Sequence, residues 1–547
     1  MSGTDDLDDW ASDEFGAADL GDARLTQRLV ALARRLSESP HCSFPQSLNG
    51  PELKAAYRFF DNPQVDTDGV LGPHIGQTLG RMQQVPVVLA AQDTTEFNLA
   101  HLPATEGLGY GTGNNLRGFM MHSLLAVTPE GLPLGVLGMK TWVRPPEEYG
   151  KKQQRKQRPI REKESVKWLE GSEHLAALKV HCPDTRIVGV SDREGDVYDV
   201  FVAERPAGVD WLVRASWNRR VAHPEKYLWE TIMAAPVLGE TELQVPATAK
   251  RLARTARLTV RCIPVWLRPP RARRSEKLPE VEVFAIHALE TDAGEGIEPL
   301  EWLLLSSVPT HTHEEALERL AWYARRWTIE SWHRVLKSGC RVEARQFGNL
   351  DRFVRATALF AVISWRILYA TLLARLDGDL PCEVLLQPIE WRALYCRVHG
   401  TTKLPDKPPT LAQVVLWIAR LGGYLNRKHD RPPGPTVIWR GFLALHEITQ
   451  MYRILRAEPG AYLTELPLTS LTEFMKPDGR SPATPALHST SSTTQPCLRG
   501  TTASAQGAPR SGKLFRARSI AGGGPTCRDA RMPVQPGRRA MTKWITS

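Results

Sequence analysis

Two short apolar runs, Pro86-Val-Val-Leu-Ala-Ala-Gln and Arg186-Ile-Val-Gly-Val-Ser, pass directly into an aspartate, Asp93 and Asp192. Both runs read as short apolar strands that the aspartate closes. A carboxylate at a strand end projects from the sheet edge, where α/β folds bind their ligands. Taken singly, such an aspartate is more often a turn or helix cap. A third acid changes the reading, because Mg²⁺ takes oxygens from a few carboxylates, phosphates and waters.

The third acid is sought on the strongly helical stretch that follows residue 314. There Tyr323, Arg326, Glu330 and Lys337 lie at offsets that, at about 100° per residue, confine them to an arc of roughly 60°. An acid, two cations and a phenol on one stripe suit a phosphodiester held at a metal centre. The competing reading is a solvated face with an Arg326–Glu330 i,i+4 pair. Trp322, Trp327 and Trp332 on the same stretch are read as core.

Elsewhere the pattern predicts a helix over 17–38, with Leu25, Leu29, Val30, Ala33 and Leu36 in phase, and a second over Glu52–Phe60. Met120–Val127 and Pro133–Met139 read as a hairpin about Glu130-Gly131. Residues 211–308 are mostly β-like, with 268–274 as a loop, and helix extends from 314 to about 455. Ala356–Leu376 is apolar but interrupted by Arg366, which marks a buried helix rather than a membrane span. With 42% hydrophobic and 24% charged residues the chain is not wholly disordered. Eight cysteines without a CxxC pair point to a reducing cytoplasm and away from a zinc module. Gly109-Tyr-Gly-Thr-Gly fits neither phosphate-loop pattern.

The net charge of +10 conceals its distribution. The first 23 residues hold eight acids and no Lys or Arg, and lack the apolar stretch of a signal peptide. The tail, 477–547, holds eleven Lys and Arg against two acids and reads as disordered. Between them, residues 151–163 form a polar loop with Lys151, Lys152, Arg155, Lys156, Arg158, Arg161 and Lys163 against Glu162. Such a loop suits phosphate contacts or is simply a surface loop.

Gln92-Asp93-Thr94-Thr95, Ser191-Asp192-Arg193-Glu194 and the Tyr-x2-Arg-x3-Glu-x6-Lys spacing resemble the DDE cut-and-paste transposases of bacterial insertion sequences. The closest likeness is to the group typified by the transposase of the composite kanamycin-resistance transposon. It spans roughly residues 9–460 and includes Leu20-Gly-Asp-Ala-Arg, Ala56-Tyr-Arg-Phe, Met121-His-Ser, Glu162-Lys-Glu-Ser, Lys167-Trp168, Pro299-Leu-Glu-Trp and Lys407-Pro-Pro-Thr-Leu. The four-residue signature, in order after two aspartates, decides against the solvated face.

The resemblance implies an α/β chain with a ribonuclease-H-like mixed-sheet core. It implies an N-terminal helical end-binding domain (1–70), a catalytic core (71–355) with a β-rich insertion (about 211–308) and a C-terminal helical dimerisation region (356–460), after which the basic tail (477–547) is read from composition alone. Asp93, Asp192 and Glu330 would bind two divalent ions per active site, Mg²⁺ or Mn²⁺. One would activate water and then the 3′-hydroxyl, and the other would stabilise the leaving oxygen. Tyr323, Arg326 and Lys337 match positions that hold DNA phosphates. Trp302 matches a tryptophan that takes up a flipped base, or is a core tryptophan of the insertion. Arg214 matches an arginine near the flipped-out strand, and Arg24 and Arg28 match end-contacting positions, with Leu25 where a basic residue is expected. The stripe Leu411, Val414, Val415, Ile418 and Leu421 is either intramolecular core or subunit contact.

The expected partners are double-stranded DNA, at transposon ends and target, and a second copy of the chain, with no membrane. The expected place is the bacterial cytoplasm, at the nucleoid. The expected function is binding the ends of an insertion sequence, excising it by metal-dependent hydrolysis and transesterification through a hairpin, and joining it to target. The alternatives are a non-catalytic or regulatory DNA-binding relative, and a nuclease without a joining step. The tail lies beyond the resemblance and reads as sequence past the normal end of the gene or in a shifted frame.

Overall fold

The strand that opens at Val87 does not stop at its aspartate. In the computed structural model, which describes residues 10–112, 117–145, 147, 158–245, 254–294, 296–428, 430 and 432–457, β1 spans Val87–Asn98 and Asp93 lies at its middle. The other strands are β2 (Gly109–Tyr110), β3 (Arg117–Val127), β4 (Pro133–Trp142), β5 (Arg186–Ser191), β6 (Val209–Arg214), β7 (Gly239–Val245), β8 (Arg254–Leu267), β9 (Val281–Glu290) and β10 (Glu301–Ser306). They form one mixed sheet in the order β2-β3-β1-β5-β6-β10-β9-β8-β7, with β4 also paired to β3.

β1, β5 and β6 run parallel, and every other pairing is antiparallel. The parallel register Val87↔Arg186 to Ala91↔Val190 brings Asp93 level with Asp192, two residues beyond the last pair. Asp93 lies two residues past the last parallel pair but does not close the strand, contrary to the expectation: on its other side β1 continues against β3, with Asp93 opposite Ser123. The β-rich reading of 211–308 holds, because β6 to β10 extend the same sheet.

The helices are α1 (Trp10–Phe15), α2 (Ala23–Glu38), α3 (Phe44–Ser47), α4 (Gly50–Asp61), α5 (Thr67–Met82), α6 (Val166–Leu178), α7 (Tyr198–Val202) and α8 (Leu228–Ala234). They continue with α9 (His313–Arg325), α10 (Trp327–Arg334), α11 (Leu350–Leu376), α12 (Pro388–His399), α13 (Leu411–Leu421) and α14 (Pro435–Ala457). The helix expected over 17–38 is shorter, because Gly21 takes φ +75° and Asp22 caps α2 through the Arg24 N–H. The expected boundaries at 70/71 and 355/356 each fall inside a continuous helix, α5 and α11. The described residues as far as Arg453 form one unit, and the last four residues of α14 fall in a second.

α11 is the central pillar. It is long and apolar enough to cross a membrane, but 83% of its most apolar window is buried inside the protein. Phe353 packs on Phe119 and Phe347, and Ala361 O accepts the Trp332 indole N–H at 3.0 Å. This anchors α10 to α11 and holds α10 over β1. The α13 stripe is intramolecular: Leu411, Val414, Val415 and Ile418 are buried with Leu373 and Leu394, and Leu421 packs against the same cluster.

A buried polar network joins the N-terminal helices to the sheet. Glu14 of α1 meets His74 Nδ1 at 2.5 Å and Arg81 at 2.7 Å, both on α5. The Val136 N–H of β4 donates to His74 Nε2 at 2.9 Å. A ring nitrogen that accepts carries no proton, so His74 is neutral with its proton on Nδ1, facing Glu14. Burial, the largest influence, pushes the His74 pKa down against the opposing pull of Glu14. Burial pushes Glu14 up, but His74 and Arg81 outweigh it and leave the carboxyl low. The unfolded chain therefore takes up a proton near pH 6.5 that folded His74 refuses, and stability falls as pH drops below that value. The thermal midpoint should decline from pH 7.5 to 5.5, and His74→Gln should flatten that slope by up to about 1.4 kcal/mol per pH unit. Scanning fluorimetry across this range measures both.

Candidate active site

Arg326 sits at a break. Its N–H bonds to Tyr323 O at 3.1 Å and its carbonyl accepts from Ile329 at 3.1 Å, so the chain tightens between α9 and α10. After α10 comes a π-helical turn, Val335–Gly339, closed by Cys340 N–H on Val335 O at 2.8 Å. The expected single stripe is therefore divided. Tyr323, Arg326 and Glu330 stay together, while Lys337, on the wider turn, is placed elsewhere.

Arg326 Nη2 binds Glu330 Oε1 at 2.7 Å, and Nη1 lies 4.0 Å from Asp93 Oδ1. Its guanidinium also stacks 4.8 Å from the Trp327 ring centroid. The side chain is 5% exposed, and its Nε and Nη1 have no hydrogen-bond partner among the described residues. Asp192 caps the short turn after β5, its Oδ1 accepting the Glu194 N–H at 2.9 Å. Asp93, Asp192 and Glu330 are near enough to act on one another electrostatically, and Arg326 acts on all three. Among the described residues, however, no three His, Cys, Asp or Glu side chains are gathered closely enough to hold a metal ion.

The electrostatics divide the acids. Burial pushes the pKa of Asp192 and of Glu330 up from the ordinary carboxylate value, with Arg326 opposing. Burial acts in the same sense on Asp93, but His333, Arg326 and the Thr94 N–H outweigh it, so Asp93 is held low. Burial pulls Arg326 down, yet Tyr323, Glu330 and Asp93 outweigh it and leave the guanidinium raised.

Lys337 Nζ donates to Glu96 O and pairs with Glu343 at 3.2 Å, three residues further along β1 than Asp93. It lines an open cavity of about 430 Å³ with Asn98, His101, Ser338, Arg341, Glu343 and Ala344. Trp302 is 9% exposed and packs edge-on against Tyr323 with centroids 5.5 Å apart, so here it is a core tryptophan. Arg214, opposite Leu304 in the β6–β10 pairing, donates to Glu301 O at 2.9 Å beside that aromatic pair. Arg24 is tied to Asp22 at 2.8 Å, and it and Arg28 lie on the exposed face of α2, while Leu25 packs inward. Of the basic loop only residues 158–163 are described, and Arg161 pairs with Glu173 at 2.9 Å. Residues 151–157 and the tail lie outside the described residues. Lys167 lies over the Trp142 and Trp168 rings and reaches Glu194 at 3.3 Å, bracing the Asp192 turn.

Sequence reasoning missed His333. It stands three residues after Glu330, with Nδ1 3.4 Å from Asp93 Oδ2 and Nε2 2.8 Å from Ser123 Oγ. The signal was available: positions 326, 330 and 333 share one helical face.

Residues 7–65 match the family model described as transposase DNA-binding, and residues 362–459 match the one described as the transposase Tn5 dimerisation domain. A DNA-binding helical unit, a mixed sheet with flanking helices and a dimerisation domain in one chain define a transposase, with DNA and a second copy of the chain as partners. The two matches together indicate a transposase of the Tn5 type.

Replacing Arg326 by Met leaves three carboxylates without their internal cation. We expect a loss of about 3 kcal/mol at pH 8, as for other buried pairs stripped of one partner. Without the guanidinium the folded-state pKa values of the acids rise, so the native state binds more protons and the deficit shrinks as pH falls toward 6. Urea denaturation of Arg326→Met and the parent at both pH values tests this.

Proposed function

We propose that this transposase binds the ends of its insertion sequence, cuts them by metal-dependent phosphodiester chemistry with a hairpin step, and joins the element to target DNA. We place it at the nucleoid of a bacterial cytoplasm. The observation that carries the catalytic reading is Arg326, a buried guanidinium that touches Glu330, faces Asp93 and keeps Nε and Nη1 unsatisfied. Unsatisfied buried donors are costly, and a phosphate oxygen is the acceptor a guanidinium best fits. The strand pattern supports a ribonuclease-H-like core: antiparallel β4-β3-β1 continued by parallel β1, β5 and β6.

The donor set fits a hard divalent cation. Three carboxylates against one guanidinium leave an excess of negative charge and offer only oxygen ligands. Asp93, Asp192 and Glu330 would hold the ions, Mg²⁺ or Mn²⁺ and two per site, which supply Lewis-acid activation and charge neutralisation. Arg326, once it turns from Glu330, binds a non-bridging phosphate oxygen and fixes the scissile group against the carboxylates. Tyr323 adds a buried phenol beside it, and Lys337 adds a point charge for a phosphate further along β1. Trp302 would have to leave its packing on Tyr323 to receive a flipped base, with Arg214 holding the displaced strand. Arg24 and Arg28 contribute the end contacts from α2.

The test uses purified full-length protein and DNA carrying the element's ends with Mg²⁺ or Mn²⁺. The expected products are nicks at the 3′ ends, hairpins and, with precut ends, target-joined strands. Asp93→Ala, Asp192→Ala and Glu330→Ala should each lower cleavage at least about a thousandfold, roughly 4 kcal/mol, while end binding persists. A protein that binds end DNA yet never nicks it would overturn the catalytic reading.

A further inference from the structure

The reading of Asp93 as a metal ligand leaves open how its carboxylate is oriented. Its two oxygens meet different neighbours: Oδ1 faces Arg326 Nη1 at 4.0 Å, and Oδ2 faces His333 Nδ1 at 3.4 Å. His333 is 5% exposed, and Ser123, bonded to its other nitrogen at 2.8 Å, is wholly buried. Ser123 is also the direct cross-strand partner of Asp93. One imidazole therefore closes a bracket over β3, β1 and α10, the helix that carries Glu330.

The tautomer follows from the bracket. An ionised Asp93 can only accept, so Nδ1 carries its proton toward Oδ2, and in the neutral ring Nε2 is then left to accept from the Ser123 hydroxyl. In the imidazolium form Nδ1 also carries a proton, so this contact is donated to Asp93 in either state. At 3.4 Å it lies beyond a full-strength hydrogen bond. It is nevertheless directional and sheltered from water, and it acts on one oxygen only.

A histidine buried merely for packing needs partners for its polar atoms, but not on the strands that bear the catalytic acid. We infer that His333 is a positioning residue: through Nδ1 it holds Asp93 Oδ2 and so fixes the orientation in which the carboxylate would bind its ion, while Ser123 fixes the ring. This rests on the reading of Asp93 as a metal ligand. Groups bonded behind metal ligands commonly govern affinity by 10- to 100-fold.

The test measures Mn²⁺ binding to the full-length protein without DNA, by electron paramagnetic resonance of the free ion, and end-DNA binding without metal. We expect His333→Ala to weaken Mn²⁺ binding about 10- to 100-fold with end binding unchanged. His333→Asn, whose amide N–H takes the place of Nδ1–H, should stay within about threefold of the parent. Parent-like Mn²⁺ affinity in His333→Ala, or an equal defect in His333→Asn, overturns the inference. Should His333→Ala fail to fold, Ser123→Ala must weaken Mn²⁺ binding by at least about threefold, and parent-like binding by it overturns the inference equally. Asp93→Asn separates the two readings. If it binds Mn²⁺ like the parent, the ligand assignment falls and the inference with it. If it binds weakly while His333→Ala binds normally, the inference alone falls.

Discussion

A guanidinium that is 95% withdrawn from water is an expensive thing to place in a protein, and Arg326 is tolerable because Glu330 bonds to it, Asp93 faces it and Asp192 lies within electrostatic reach. The dependence is mutual. Asp93, Asp192 and Glu330 come from two strands and a helix, and like charges drawn together from separate elements repel unless a cation lies among them. Arg326 supplies that cation from a tightened break between two helices, where a regular helix would have aimed it differently. Without it the acids could not share one sheet edge in ionised form, and α10 would lose an electrostatic tie to β1.

The rest of the architecture serves to deliver the acids to that point. Parallel register brings Asp93 level with Asp192, and Trp332 hung on Ala361 holds α10 at the right height over the sheet. The π turn then releases the chain from the stripe, so that Lys337 reaches Glu96 and Glu343 rather than the acids. Wider turns of this kind commonly mark functional positions. Here the turn separates a buried charge that serves the acids from a more exposed one suited to a DNA backbone.

Much of this was legible in the sequence for definite reasons. The apolar runs into Asp93 and Asp192, the hairpin at Glu130-Gly131 and the β-rich span before residue 308 depend on local patterning, which sequence carries directly. Three things were not legible. Gly21 in the left-handed region and the Asp22 cap start α2 only at Ala23, so the first residues of the periodic stretch fall outside the helix. A constant 100° per residue cannot register a break at Arg326 or a π turn at 335–339, because both are set by packing against α11 and β1. The α13 stripe could be resolved between core and subunit contact only once Leu373 and Leu394 were seen to cover it. His333 itself shares a legible helical face with Arg326 and Glu330, but its partner Ser123 lies 210 residues away, and only the β1–β3 register brings that residue beside Asp93.

Under the proposed function, the manner in which the N-terminal helices are mounted bears on how a bound end would reach the acids. Glu14 is locked to His74 and Arg81, His74 to Val136 of β4, and Arg81 to Leu134 O and the face of Trp365 on α11. A flexible tether would let DNA on α2 sample many positions relative to the carboxylates, and each misplacement forfeits rate. A buried network with fixed tautomer and paired charges removes that freedom before DNA arrives. Burial makes the mount rigid, and it also makes the mount sensitive to protons, because the same neutral imidazole that accepts from Val136 is the group acid would charge.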